Sequence, residues 1–327
     1  MKWISKSKCF VGLIGTILML DVCSPLMAQS NAGEVSLVSP SMSQPTKEVM
    51  RLRADVDLVL VDVAVLDSRQ RVLTGLRKDD FQILENQKEQ TIRFFSTEDQ
   101  PISVTVVLDA SGSMETKLPK AIAAARRLFQ LASPADDCRL LIVRGAPGTF
   151  MSIDDLNDVD RVLDTIKSKG YTALWDSMYL AARELQKRAQ YSRKAMVVIS
   201  DGGDNRSRYT EKELHKYLEE SDVQVYAVGL YNPFSRTPEE RRGPASLDEL
   251  ANVTGGHMYT AMDRDGLIPA VENINRELRS QYLLGYVPSA VQRDSKWRKL
   301  KITVRRAPGM PELHVDARRG YYVPGDR

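Results

Sequence analysis

Hard oxygen donors recur in this chain just after apolar runs. The run VTVVLD ends at Asp109 and continues Ala110-Ser111-Gly112-Ser113. Three such donors at alternate positions can converge on one cation if the loop curls back, which Gly112 eases. Thr172, in GYTALWD, lies in a loop just before a helix, and AMVVIS runs into Asp201 within SDGGDN. Singly, each has an ordinary explanation: Thr172 as a helix N-cap, Asp201 as part of a Gly-rich turn after a strand. Jointly, Asp109, Ser111, Ser113, Thr172 and Asp201 form an all-oxygen set that suits magnesium, which prefers octahedral oxygen ligands at about 2.0–2.1 Å. Asp204 is expected at the rim of this set rather than in it. Trp175 could face a partner or pack beneath the loop.

The elements that must hold these loops are legible from periodicity. ISVTVVLD is apolar on both faces, as in a central strand of a covered parallel sheet. Helical spacing follows in LPKAIAAARRLFQLA, at Ile122, Ala125, Leu128, Phe129 and Ala132. CRLLIV, KAMVVIS, VQVYAVGL and HMYTA read as further strands. IDDLNDVDRVLDTIKS, ALWDSMYLAARELQKRA, EKELHKYLEESD, SLDELANVTGG and a last stretch from about Asp265 to Tyr282 read as helices. Strands and helices in alternation give an α/β fold with a doubly wound, mostly parallel sheet flanked by helices, over residues 100–283. In such sheets ligands bind at the carboxyl ends of the strands, where Asp109 and Asp201 lie.

On either side the pattern is β. Residues 53–99 contain DVDLVLVDVAVLDS, VLTGL, DFQILENQ and QTIRFFS; residues 284–327 follow QYLLGYVP with KWRKLKITVRRA and ELHVDARRGYYVP. Neither flank alone supplies a comfortable core, whereas together they offer about six to eight strands, enough for a sandwich-like all-β domain interrupted by the α/β domain.

The first 28 residues read as a signal peptide: Lys2, Lys6 and Lys8, an apolar stretch of 11 residues from Phe10 to Leu20, and Leu26-Met27-Ala28 before Gln29. That stretch is shorter than the roughly 20 residues a membrane span needs. Residues 29–52, rich in Ser, Pro and Gln, read as a flexible linker. The expectation is an exported protein, periplasmic, outer-envelope or extracellular, with no membrane span after cleavage. Cys9 and Cys23 fall in the leader, which leaves Cys138 alone as small core filler. The chain of 327 residues is 43% hydrophobic and 27% charged, an ordinary globular balance with a formal charge of only +3. No basic tract with interleaved aromatics occurs, so nucleic-acid binding gains no support. Oligomeric state is not legible.

VVLDASGSM, GYTALWDS and VVISDGGDN, in this order, resemble the three segments of the metal-ion-dependent adhesion site of von Willebrand factor A domains. The flanks resemble, more loosely, a bacterial exported von Willebrand factor A-related family. The resemblance implies that Asp109, Ser111, Ser113, Thr172 and Asp201 hold a divalent metal: magnesium, with calcium or manganese as alternatives. It also implies binding rather than catalysis, the shell being completed by an Asp or Glu carboxylate of a partner protein. Two other classes stay in view: a metal-dependent hydrolase or phosphatase, and an envelope module whose metal only stabilises the fold. Against catalysis, no glycine-rich loop with a lysine is present, and His215, His257 and His314 are scattered without ligand spacing.

Overall fold

The computed structural model describes residues 58–323 apart from 154–155, 232–236, 261–265, 290–295 and 306–311. The expected signal peptide and linker lie outside the described residues. Four strands come first, β1 (Val59–Asp67), β2 (Phe81–Glu85), β3 (Lys88–Gln90) and β4 (Ile92–Ser96). The alternating region follows: β5 (Ser103–Asp109), α1 (Leu118–Leu131), β6 (Asp137–Val143), β7 (Pro147–Ser152), α2 (Leu156–Leu163) and α3 (Leu174–Arg188). It continues through β8 (Lys194–Ser200), α4 (Glu211–Glu220), β9 (Val223–Gly229), α5 (Pro238–Val253), β10 (Met258–Thr260) and α6 (Leu267–Arg279). Last come β11 (Tyr282–Tyr286), β12 (Trp297–Val304), β13 (Leu313–Ala317) and β14 (Gly320–Tyr322).

The central sheet has the order β10-β9-β8-β5-β6-β7, parallel throughout except for β7, which pairs antiparallel with β6. Every residue of β5 and β9 is buried, which is why their sequences are apolar without alternation. Period 2 still sorts the side chains between two layers. Val104, Val106 and Leu108 pack with α1, α2 and α6, whereas Val107 packs with α3, α4 and α5. Cys138 is buried and its thiol is pushed up to about 12, chiefly by burial and then by Asp136 and Asp137, consistent with a packing role. Among the described residues no helix is long and apolar enough to cross a membrane.

The flanking strands form two four-stranded antiparallel sheets, β13-β1-β11-β4 and β14-β12-β2-β3, each drawing strands from both sides of the α/β region. Val61, Val63, Phe81, Ile83, Tyr282, Leu284 and Ile302 share one core between them. Glu85, buried on β2, accepts hydrogen bonds from the Tyr286 hydroxyl at 2.6 Å and the Tyr321 hydroxyl at 2.8 Å, so this carboxylate is satisfied by phenols of the other segment. VLTGL is not a strand but touches β1 through one bridge, Leu66 with Val72. QTIRFFS and ELHVDARRGYYVP each divide their residues between the two sheets rather than forming single strands.

Candidate functional site

The carboxyl edge of the central sheet brings three loops together. At the end of β5, Asp109 is fully buried; its Oδ1 accepts the Ser111 amide at 2.9 Å and its Oδ2 accepts the Ser200 hydroxyl at 2.6 Å. Burial, and next the neighbouring Asp201 charge, raise the Asp109 carboxyl to about 6, with the Ser200 and Ser111 hydrogen bonds opposing the shift. Ser111 opens a 3-10 turn over Gly112–Met114 that brings its hydroxyl within 3.1 Å of the Ser113 hydroxyl. Ser111 is buried and Ser113 exposed, so the pair runs from the interior to solvent. A Cβ on Gly112 would lie 3.1 Å from the Gly170 carbonyl, which accepts the Gly112 amide at 2.9 Å. Glycine therefore lets the first and second loops touch.

Thr172 is buried in the second loop. Its amide donates to Asn205 Oδ1 at 2.9 Å, and its carbonyl accepts the amides of Asn205 and Arg206 at 3.1 and 3.0 Å, tying the second loop to the third. Thr172 is not the cap of α3: that role falls to Asp204, whose Oδ2 accepts the amides of Leu174 at 2.7 Å and Trp175 at 3.1 Å. Trp175 is buried and packs beneath the loop with Leu174 and Met178.

The third loop begins as β8 ends. Asp201 is buried; Oδ1 accepts the Gly203 amide at 3.3 Å, and Oδ2 accepts the Lys117 ammonium at 2.6 Å. Gly202 turns with φ +78, and a Cβ there would stand 2.6 Å from Gly243 Cα, so a glycine-on-glycine contact seats α5 against the loop. The Ser200 hydroxyl bonds Asp109 and also accepts the Gly202 amide at 2.9 Å, joining first and third loops. Sequence reasoning missed three contributors: Ser200, Lys117 and Asn205. Ser200 had a visible signal, standing immediately before Asp201 at a strand end. Nothing in the sequence pairs Lys117 with Asp201, which is 84 positions away.

Among the described residues no group of three or more His, Cys, Asp or Glu side chains is arranged to hold a metal ion. A cation at this edge would depend on hydroxyl oxygens beside two carboxylates. The donor chemistry fits a hard divalent ion: two buried acids repel one another, and Ser111, Ser113 and Thr172 bring oxygen without added charge. The histidines lie elsewhere. His215 sits on α4 near Glu219 and Glu249, His314 is on β13 of an outer sheet, and His257 is 3.7 Å from Asp316 on the opposite edge of the central sheet.

The sequence profile of the von Willebrand factor type A domain matches residues 103–274. No curated protein matches the chain. Similar solved structures include the following three. An aerotolerance-related membrane protein from Bacteroides fragilis is 24% identical over 54% of this chain and 98% of its own, with a TM-score of 0.43. A von Willebrand factor type A protein from Catenulispora acidiphila is 11% identical over 81% and 74%, with a TM-score of 0.46. The pilus adhesin SpaC from Lactobacillus rhamnosus GG is 10% identical over 76% and 48%, with a TM-score of 0.45. The profile spans more than half of the chain and coincides with the alternating strands and helices from β5 into α6, so the chain belongs to the von Willebrand factor type A domain family.

Proposed function

We propose that this chain is an exported protein whose α/β domain binds a partner protein through a divalent cation, magnesium first, with calcium or manganese as alternatives. Asp109, Ser111, Ser113, Thr172 and Asp201 hold the ion, and an Asp or Glu side chain of the partner completes its shell. One observation carries the reading: the charge of buried Asp201 raises the cost of ionising buried Asp109, at an edge otherwise built of hydroxyls and amides. When bound, the ion supplies positive charge that relieves this repulsion and draws a partner carboxylate. The chain's own residues do the positioning. The Ser200 hydroxyl and Ser111 amide orient Asp109, Asn205 fixes the Thr172 backbone, and Lys117 must withdraw from Asp201 Oδ2 for that oxygen to serve as a ligand.

Membership of a family whose domains serve as interaction modules supports binding rather than turnover. Calorimetric titration with magnesium tests the cation site, and capture of envelope proteins with magnesium or with EDTA tests its role. Saturable magnesium binding that Asp109→Ala abolishes, with capture lost in EDTA, is the expected result. Magnesium binding with EDTA-insensitive capture would reduce the ion to a stabiliser of the fold. Phosphatase or peptidase turnover that needs magnesium and disappears in Asp109→Ala would overturn the reading.

A further inference from the structure

Charged side chains around this edge divide by sign. The carboxylates are consumed internally: Asp109 by Ser200 and Ser111, Asp201 by Lys117, and Asp204 by the first turn of α3. Asp176 Oδ1 likewise accepts the amides of Arg208 and Tyr209 at 2.8 and 2.9 Å. Arg144, Lys167, Lys169, Arg206 and Arg208 are all exposed. In the described loops 110–117, 144–146, 164–173 and 201–210 the exposed acids are Glu115 and Asp164, and Asp164 is paired with Arg126 at 2.7 Å. Half-buried Glu240 stands beside Gly203.

The backbone fixes where these cations stand. The Lys169 amide donates to the Ala110 carbonyl at 3.0 Å, directly behind the first loop, and the Arg206 amide donates to the Thr172 carbonyl at 3.0 Å. The Arg144 carbonyl accepts the Ala173 amide at 2.9 Å, and its guanidinium reaches the Lys167 carbonyl at 3.4 Å. Between them Tyr171, next to Thr172, is 63% exposed, with the Arg206 guanidinium 5.7 Å from its ring centroid. Tyrosine and arginine are the residue types that interface hot spots favour. Five exposed cations against two exposed acids, of which Asp164 is already paired with Arg126, draw an anionic partner over roughly 10 Å at 0.1 M salt.

Resting on the cation-bridged reading above, we infer that this basic crescent is the docking surface for an extended, acidic segment of a partner protein. One carboxylate of the segment reaches the ion, and its neighbours pair with Lys167, Lys169 and Arg206 while the backbone lies across Tyr171. Charge complementarity selects this occupant. Single-stranded nucleic acid is less suited, because stacking of successive bases needs a row of free aromatic faces, and Tyr209, the other exposed ring of these loops, already stacks on Tyr179 at 4.0 Å.

The test measures binding of two labelled decapeptides to the full chain in magnesium and in EDTA: deca-glutamate, and a Gly/Ser peptide with one central glutamate. Deca-glutamate is expected to bind about tenfold more tightly, with the gap closing as salt rises. In Lys167→Gln/Arg206→Gln the gap should shrink to within about twofold, while magnesium binding is not weakened and the melting temperature stays unchanged. Equal binding of the two peptides, a gap that the double variant leaves above about twofold, or an oligothymidine that binds as well as deca-glutamate would overturn the inference. If both peptides require magnesium but bind equally, the cation reading stands and the crescent fails. If the gap persists in EDTA and the double variant removes it, the crescent stands and the cation reading fails. Failure of both peptides to bind overturns both.

Discussion

At the carboxyl edge of the central sheet, Asp109 and Asp201 sit among serine hydroxyls, backbone amides and one ammonium that reaches in from solvent. At the amino edge, Glu277, Asp316 and Asp62 sit among groups that belong to the fold. The Tyr259 hydroxyl donates to Glu277, His257 faces Asp316, and the Arg193 guanidinium lies 3.5 Å from Asp62. Burial raises Glu277 to about 8, the Tyr259 hydrogen bond opposing it and the Asp316 charge adding to it. Asp62 and Asp316 are raised as well, again by burial first. A carboxylate beside a withdrawable cation can exchange it for another, whereas carboxylates walled in by fixed side chains are relieved by a proton. One edge thus sets its carboxylates beside a displaceable ammonium, while the other holds α6 against the outer sheets.

The comparison can be broken at either edge. The largest effect is expected from Arg193→Ala. This buried guanidinium bonds the Leu278 carbonyl at 2.5 Å, Gln281 at 2.8 Å and the Gln100 carbonyl at 3.1 Å. Its loss also removes the larger of the two cationic charges, Arg193 and Arg318, that offset the burial of Asp62. Denaturant unfolding should show a cost of about 3 kcal/mol or more, with magnesium affinity unchanged. Asp109→Ala should act chiefly through the metal: beyond a cost of about 1–3 kcal/mol for leaving the Ser200 hydroxyl and Ser111 amide unpaired, it should lose the stabilisation that magnesium gives. That stabilisation is about 2.7 kcal/mol at a hundred times Kd, read as a melting shift.

Glu277→Gln tests the proton. The folded value of about 8 lies above the ordinary 4.5, so the stability Glu277 gains from its proton is complete below the ordinary value and is lost as pH rises through 8. The native protein should lose several degrees of melting temperature between pH 4.5 and about 8 and level off above that, and the glutamine variant should show a flatter profile over the same window. Smallest is Lys117→Met. With the ammonium no longer held at 2.6 Å from Asp201, magnesium should bind about tenfold more tightly, or about 1.4 kcal/mol. Weaker binding would mean that Lys117 assists the site rather than competing for it.

Much of this architecture can be read along the chain. The central strands are apolar on both faces because both faces are covered, and β2 and β12 alternate because one face is wet, whereas β1 is buried on both faces over Val63–Leu66. Asp109, Ser111 and Ser113 are legible because one short loop carries them. Other parts depend on contacts between distant residues. β7, reading PGTFMS, is an edge strand stabilised by β6 rather than by its own pattern. α5 begins at Pro238, well before the expected SLDELANVTGG, because the Thr237 hydroxyl caps the Glu240 amide at 3.3 Å and proline suits the first turn. The internal Gly243 and Pro244 disguise that beginning, yet Gly243 is the residue that meets Gly202. Lys117 gives no local sign of its role, since its partner arrives from another strand.

The interleaving of the outer sheets has a mechanical consequence. β1 lies between β13 and β11, paired antiparallel with both, so the chain entering the α/β region is bonded directly to the chain leaving it. Tension applied between residues 58 and 323 would load the hydrogen bonds of β1 with β11 and β13, those of β14 with β12, and the Glu85 clasp to Tyr286 and Tyr321, before it reached β5 or α6. The domain carrying Asp109 and Asp201 is thereby shunted out of the line of force. A protein tethered at its ends could be stretched while its binding edge kept its shape.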